Sequence, residues 1–265
     1  MGQKLGQHFL KDKSALFKIT AALAPQKGET VIEIGGGHGE LTKELLALSD
    51  KLLASPPKIV TIEKDARLAE ELRIKFAKAR NLEIVEGDVR EVLPSLISKL
   101  KAQSSKLPYK IVGNIPYYLT GFLLRLIGER EPSPQLTVLL IQKEVAERLL
   151  AKPPHMNKLA ASVGFWGKGK IILQIPPGAF SPPPKVESAV IQIFPIVKQG
   201  KEKKYFATVQ SLFSQPRKTV LNNLAATLQL PKEKLAKILK EKGIDPSVRP
   251  QTLSLSQIHS LTSFF

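Results

Sequence analysis

Short apolar, β-branched runs alternate along the first two-thirds of the chain with stretches of helical periodicity. Thr30 to Ile34, Lys58 to Glu63, Leu82 to Glu86, Tyr109 to Gly113 and Gln135 to Gln142 have the length and residue types of strands. Leu41 to Leu48, Ala66 to Ala77 and Leu119 to Ile127 repeat their apolar positions as helices do. Strands that are apolar throughout must be covered on both faces. The alternation therefore predicts an α/β fold with a mostly parallel sheet between helical layers. Ile171 to Ile175 and Ser188 to Phe194 flank the Pro-rich segment 175–184 and suit a terminal hairpin closing that sheet.

Beyond Lys198-Gln199-Gly200-Lys201, which has the composition of a linker, the pattern is helical to the end. The expected helices are Tyr205 to Phe213, Arg217 to Leu228, Lys232 to Lys242 and Ser254 to Leu261. The expected domains are thus a catalytic α/β domain at 1–197 and a small all-helical domain at 198–265. No internal repeat is present, and Lys99 to Lys106 reads as a polar loop.

Charge sharpens the division. Forty Lys and Arg against 23 Asp and Glu give a net +17 over 265 residues, which favours a polyanionic partner. From residue 196 onward twelve Lys and Arg face four Asp and Glu, a net +8 in 70 residues against +9 in the preceding 195. There is no cysteine, so disulfides, zinc ribbons and thiol nucleophiles are excluded. The four histidines, His8, His38, His155 and His259, have no metal-binding spacing, and no metal is expected. No apolar run approaches the ~20 residues of a membrane span. The opening residues carry neither an apolar signal core nor an acylation motif, so a soluble, cytoplasmic protein is expected.

Candidate chemistry lies at strand ends, where ligands of parallel α/β sheets bind. Val31 to Gly39 is a strand running into a glycine loop that opens a helix. Glycines allow a tight turn and close approach of a ligand, and the helix amides suit a carboxylate or phosphate. Gly35-x-Gly37-x-Gly39 lacks the third glycine of the dinucleotide fingerprint, because position 40 is Glu, and no Gly-Lys-Ser/Thr follows. Glu63 ends the second strand, 28 residues after Gly35, where a carboxylate can accept from both ribose hydroxyls. Asp88 follows the third strand and can accept from an adenine amine while the Val89 backbone N–H reaches a ring nitrogen. Asn114-Ile115-Pro116-Tyr117 ends the strand after that. A carboxamide and an adjacent carbonyl there can each accept from an exocyclic amine, with Tyr117 as a stacking face. Together these describe a nucleoside slot beside a base-handling site.

Residues 6–10 (Gly-Gln-His-Phe-Leu), 33–37, Glu63, 87–88, 114–117, 142–146, 180–188 and 249–254, in this order, make the chain resemble the small-subunit ribosomal RNA adenine-N6,N6-dimethyltransferases, the KsgA family, along essentially its whole length. The resemblance implies a Rossmann-like S-adenosylmethionine-dependent methyltransferase. In it His8, Leu10, Gly35, Gly37, Glu63, Asp88, Val89 and Asn114 hold the cofactor, Asn114 and Ile115 handle the amine, and Tyr117 and Phe180 sandwich the base. It implies as partner small-subunit rRNA within a pre-30S particle, modified at two adjacent adenosines, by a monomer. Arg217 and Lys218 are the expected phosphate contacts. His8 stands where many relatives carry Asn and Gly36 where many carry Pro. The competing readings are a large-subunit rRNA adenine methyltransferase, an RNA-binding assembly factor on the same fold and a nicotinamide-dependent oxidoreductase.

Overall fold

The computed structural model describes residues 8–50, 56–103, 108–116, 119–129, 131–196 and 202–265. Two compact units emerge, Met1–Ala146 with Gly169–Pro195, and Glu147–Lys168 with Ile196–Phe265. The second takes in residues 147–168, which the sequence pattern had placed with the α/β domain.

The first unit contains β1 (Phe9–Leu10), α1 (Lys13–Leu23), β2 (Thr30–Ile34), α2 (Glu40–Asp50), β3 (Lys58–Glu63), α3 (Ala66–Lys75) and β4 (Leu82–Glu86). There follow α4 (Val89–Gln103), β5 (Tyr109–Asn114), α5 (Thr120–Glu129) and β6 (Leu136–Gln142). After α6 (Lys143–Leu149) and α7 (Lys158–Gly164) come β7 (Gly167–Ile175), β8 (Phe180–Ser181) and β9 (Ser188–Pro195). The seven-stranded sheet runs β4-β3-β2-β5-β6-β9-β7. Its first five strands are parallel, and β9 returns antiparallel to β6. β2 is buried at every residue, whereas edge strand β4 has no fully buried position. That contrast is why the central strands read as unbroken apolar runs.

The predicted limits of β2, β3 and β4 match the observed ones; β5 runs one residue further, to Asn114, and β6 begins one later, at Leu136. Four helices, α1, α4, α6 and α7, do not appear in the sequence pattern. α1 is started by Asp12, whose carboxylate accepts from the Ala15 backbone N–H at 2.7 Å, and it packs Leu16, Ile19 and Leu23 into the core with Val31, Val112 and Val138. α4 carries Pro94 near its start, which obscures the pattern, yet Leu93, Ile97 and Leu100 recur at helical spacing and are buried. It extends through Lys99–Gln103, the first part of the segment expected to be a loop.

In the second unit α8 (Glu202–Leu212), α9 (Val220–Leu228), α10 (Lys232–Glu241) and α11 (Leu255–Ser260) fall where helices are expected, with α8 starting three residues earlier and α9 three later than the pattern indicates. α9 begins at Val220, not Arg217, because Thr219 caps it by accepting from the Asn222 N–H at 3.2 Å. Residues 147–168 join this unit physically: Tyr205 of α8 donates its hydroxyl to the Ala161 carbonyl of α7 at 3.0 Å and stacks on Phe165 at 4.3 Å. The expected boundary at 197/198 lies outside the described residues.

At the opening of the sheet a buried ion pair ties α1 to β2 and β5. Lys110 lies 3.0 Å from Glu29, both almost fully buried, and donates to the Ala24 carbonyl at 2.7 Å; Glu29 accepts from the Gln26 N–H at 2.7 Å. Breaking one side leaves a buried charge with too few partners. Lys110→Met is therefore expected to cost about 3–5 kcal/mol, with Lys110→Met/Glu29→Leu recovering most of it. Urea unfolding of the two variants checks this.

Candidate active site

Strand order reverses between β2 and β5, and a pocket opens at the carboxyl ends of these strands. Gly113 makes the junction tight: a Cβ there would stand 2.5 Å from the Ile34 carbonyl oxygen. β2 ends in the glycine loop. Gly37 has φ +55° and no room for a side chain, since a Cβ would meet the Phe9 ring at 2.9 Å. The Gly37 N–H donates to Glu63 Oε2 at 2.8 Å, and the Asp65 N–H donates to Glu63 Oε1 at 2.9 Å. Glu63 is 4% exposed, so both contacts form away from bulk water, and each oxygen keeps a second lone pair for ribose hydroxyls.

Gly36 does not leave a gap. A Cβ there would lie 2.5 Å from the Thr61 methyl and 2.7 Å from Leu72, so those side chains fill the space.

Asp88 sits at the next strand end and faces more charge than the sequence reading allowed. Arg90 grips it with Nε at 3.0 Å and Nη2 at 2.7 Å, its own backbone N–H adds a 2.9 Å bond, and Lys64 lies 2.9 Å away. The Arg90 guanidinium, more than any other group, holds the Asp88 carboxyl far below the usual carboxylate range. Asp88 is thus a fixed anion, and an adenine amine would use a lone pair beside these cations. Val89, buried behind it, is the first residue of α4, so its N–H has no carbonyl one turn earlier to bond. Lys64 and Arg90 are pocket residues that the sequence reading missed; the Asp-x-Arg spacing was the available signal.

Across the pocket Asn114 ends β5. Its Nδ2 donates to the His8 backbone carbonyl at 2.8 Å, which turns Oδ1 the other way, with no protein partner for that oxygen among the described residues. Ile115 is buried, and its N–H donates to the Leu140 carbonyl at 3.1 Å. The His8 ring is held from behind: Nδ1 lies 2.9 Å from the Pro182 carbonyl, a contact that requires Nδ1 to carry the proton. Leu10 and Phe180 are opposed in the β1–β8 pair and both line the pocket, with Phe180 6% exposed and packed in the core cluster as well. The pocket thus unites His8, Leu10, Gly35, Gly37, Glu63, Asp88, Val89, Asn114, Ile115 and Phe180. Tyr117 lies outside the described residues, and Arg217 and Lys218 belong to the second unit. Among the described residues no group of three or more His, Asp or Glu could hold a metal ion, and no helix is long and apolar enough to cross a membrane.

A glycine loop cradled on Glu63, an acid at each of the next two strand ends and a carboxamide across the switch point fit S-adenosylmethionine and define the fold and site as those of a Rossmann-like S-adenosylmethionine-dependent methyltransferase. Solved structures agree on the fold. A dimethyladenosine transferase from Plasmodium falciparum superposes with TM-score 0.75 at 26% identity, covering 96% of each chain. The 23S rRNA methyltransferase ErmE gives 0.71 at 22% identity, covering 97% of this chain and 98% of its own. Residues 2–265 match the family model described as ribosomal RNA adenine dimethylase, and the chain belongs to that family. Proteins called ribosomal RNA small subunit methyltransferase A are similar over nearly the full length. The protein from Dehalococcoides mccartyi is 36% identical over 96% of this chain and 84% of its own, and that from Caldanaerobacter subterraneus 35% over 98% and 96%. The oxidoreductase reading is set aside by this membership.

Behind the glycine loop lies a further carboxyl group. Glu33 is fully buried. Its Oε2 accepts from the Thr42 and Thr61 hydroxyls, both at 2.7 Å, while Oε1 has no partner among the described residues. Burial pushes its pKa up to about 7, against the two threonine bonds and with Glu63 and Glu40 adding repulsion. A carboxyl whose folded pKa is raised favours folding below its unfolded value of 4.5 and loses that contribution as pH rises to about 7. Wild-type stability should therefore decline between pH 5 and 7.5 by more than that of Glu33→Gln, which keeps both threonine contacts without a charge. Thermal melts across that range test this; parallel curves would refute it.

Proposed function

We propose that this rRNA adenine dimethylase transfers methyl groups to the exocyclic N6 of two adjacent adenosines in a hairpin loop near the 3′ end of small-subunit rRNA, acting as a monomer on a pre-30S particle. The observation that carries the chemistry is the orientation of Asn114, whose donor end is committed to the His8 carbonyl. Its oxygen is left as an acceptor on the pocket side. Similarity to the small-subunit enzymes at 35–36% identity supports this target over the large subunit.

Adenine N6 is a poor nucleophile because its lone pair is delocalised into the ring. Asn114 Oδ1 and the Ile115 carbonyl each accept one N6 proton, which lets the nitrogen pyramidalise and direct its lone pair along the line of transfer. Those bonds fit the transition state better than the planar base. S-adenosylmethionine, when bound, supplies an electrophilic methyl group on a positively charged sulfur. No side chain need act as a strong base, since the proton on the product nitrogen is acidified and leaves to water. Glu63 orients the ribose, Asp88 and the Val89 N–H the adenine of the cofactor, and Phe180 and Tyr117 the two faces of the target base. Arg217 and Lys218 contact phosphate.

Asn114→Ala should fold, retain cofactor binding and lose transfer by about 10²-fold or more, the scale for one preorganised polar contact. Methylation of undermethylated small ribosomal subunits with labelled cofactor, followed by mapping of the modified bases, measures this and tests the target; label elsewhere than in two adjacent small-subunit adenosines would overturn the reading. Glu63→Ala should act differently, with its main loss in cofactor affinity by calorimetry. An unchanged dissociation constant would remove Glu63 from the slot.

A further inference from the structure

Between α8 and α9, the loop segment Ser214-Gln215-Pro216-Arg217-Lys218-Thr219 that follows Phe213 exposes Ser214 through Lys218 to solvent. Pro216 fixes one torsion, but a loop segment carrying two adjacent cations has no intrinsic reason to hold one shape. Beneath it lies the side chain of Asn223, on the first turn of α9 and 1% exposed. Its Oδ1 accepts from the Gln215 N–H at 3.0 Å and the Ser214 hydroxyl at 3.0 Å. Its Nδ2 donates to the carbonyls of Gln215 at 3.1 Å, Lys218 at 3.3 Å and Thr219 at 3.1 Å. One carboxamide thus binds the loop at both ends. Only a group that both donates and accepts can do so. The Lys218 N–H closes the turn on the Gln215 carbonyl at 2.9 Å, and the Val220 N–H is pinned to the Val248 carbonyl at 2.8 Å.

We infer that Asn223 is a positioning residue for ribosomal RNA: its buried carboxamide sets the loop conformation in which Arg217 and Lys218 are presented to phosphate. The inference rests on the proposal that these two cations contact RNA, and it adds that their affinity depends on a side chain too buried to touch RNA. Without Asn223 the cations remain but must be ordered on binding, and that ordering entropy is charged against affinity.

The test is a double-mutant cycle on the full-length protein, with undermethylated small ribosomal subunits as the probe. Arg217→Gln/Lys218→Gln should weaken particle binding about tenfold and flatten its salt dependence. Asn223→Ala should weaken binding severalfold with both charges in place, and should cost nothing further on the Gln/Gln background. Amide hydrogen exchange should quicken at Gln215 and Lys218 while α8 and α10 exchange as in the wild type. Wild-type binding by Asn223→Ala, losses that multiply in the triple variant, or faster exchange throughout residues 202–265 would each overturn the positioning role, the last two by showing a merely structural residue. Wild-type binding by the Gln/Gln variant would overturn instead the placement of RNA on this loop, and the inference with it.

Discussion

Glu63 accepts one N–H from the glycine loop and one from the start of α3, so a single buried carboxylate fixes where β2 hands over to α2 and where β3 hands over to α3. The remaining site geometry is referred to that point. The glycine loop packs close against its surroundings, since a Cβ at position 36 or 37 would strike Thr61, Leu72 or Phe9, so only glycine fits at either place. A second carboxyl, Glu33, sits one layer deeper and holds Thr61, whose methyl forms the floor under Gly36. Two acids of opposite character therefore support the loop: Glu63 reaches the pocket surface and is satisfied by backbone amides, while Glu33 is sealed in, with one oxygen unpaired among the described residues and its pKa near 7.

Most of this frame was legible in the sequence because burial on both faces writes itself as uninterrupted β-branched runs. β2 and β3 could be bounded to the residue for that reason. Two of the helices that escaped, α1 and α4, did so for local reasons. α1 alternates its apolar residues with Lys13, Lys18 and a pair of alanines, which weakens the periodicity, and its real signal was the cap at Asp12. α4 hides behind Pro94. The start of α9 was misjudged because Arg217 and Lys218 are good helix formers, and propensity lost to the cap at Thr219 and to the demands of Asn223 below.

Site residues followed a similar division. Positions at strand ends could be named from the sequence because topology alone brings strand ends together. Partners set by side-chain reach could not. That Arg90 and Lys64 would close on Asp88, and that the His8 ring would turn to Pro182, depends on rotamers chosen by packing across 2 to 174 residues of separation. The consequence for Asp88 is substantive. An isolated carboxylate would be a general acceptor for any donor, whereas one already held by two cations offers lone pairs in restricted directions and discriminates by geometry.

The same logic explains why the residue at position 114 is an amide and not an acid. The His8 carbonyl approaches one end of the side chain to 2.8 Å and needs a donor there; a carboxylate would set oxygen against oxygen. On the proposed mechanism the other end accepts from the substrate amine, and an uncharged oxygen can do so without holding the product nitrogen as a tight ion pair. Satisfying both ends requires that His8 be in place. The arm carrying it is held by pairing of Phe9 and Leu10 with Ser181 and Phe180, and by the Lys11 and Asp12 N–H groups on the Ala179 carbonyl. The Asn114 amide, the amino-terminal arm and the Pro-rich loop thus form one hydrogen-bonded assembly. Loss of order in the arm or the loop would free Asn114 to rotate and present its donor, the wrong end, to the base.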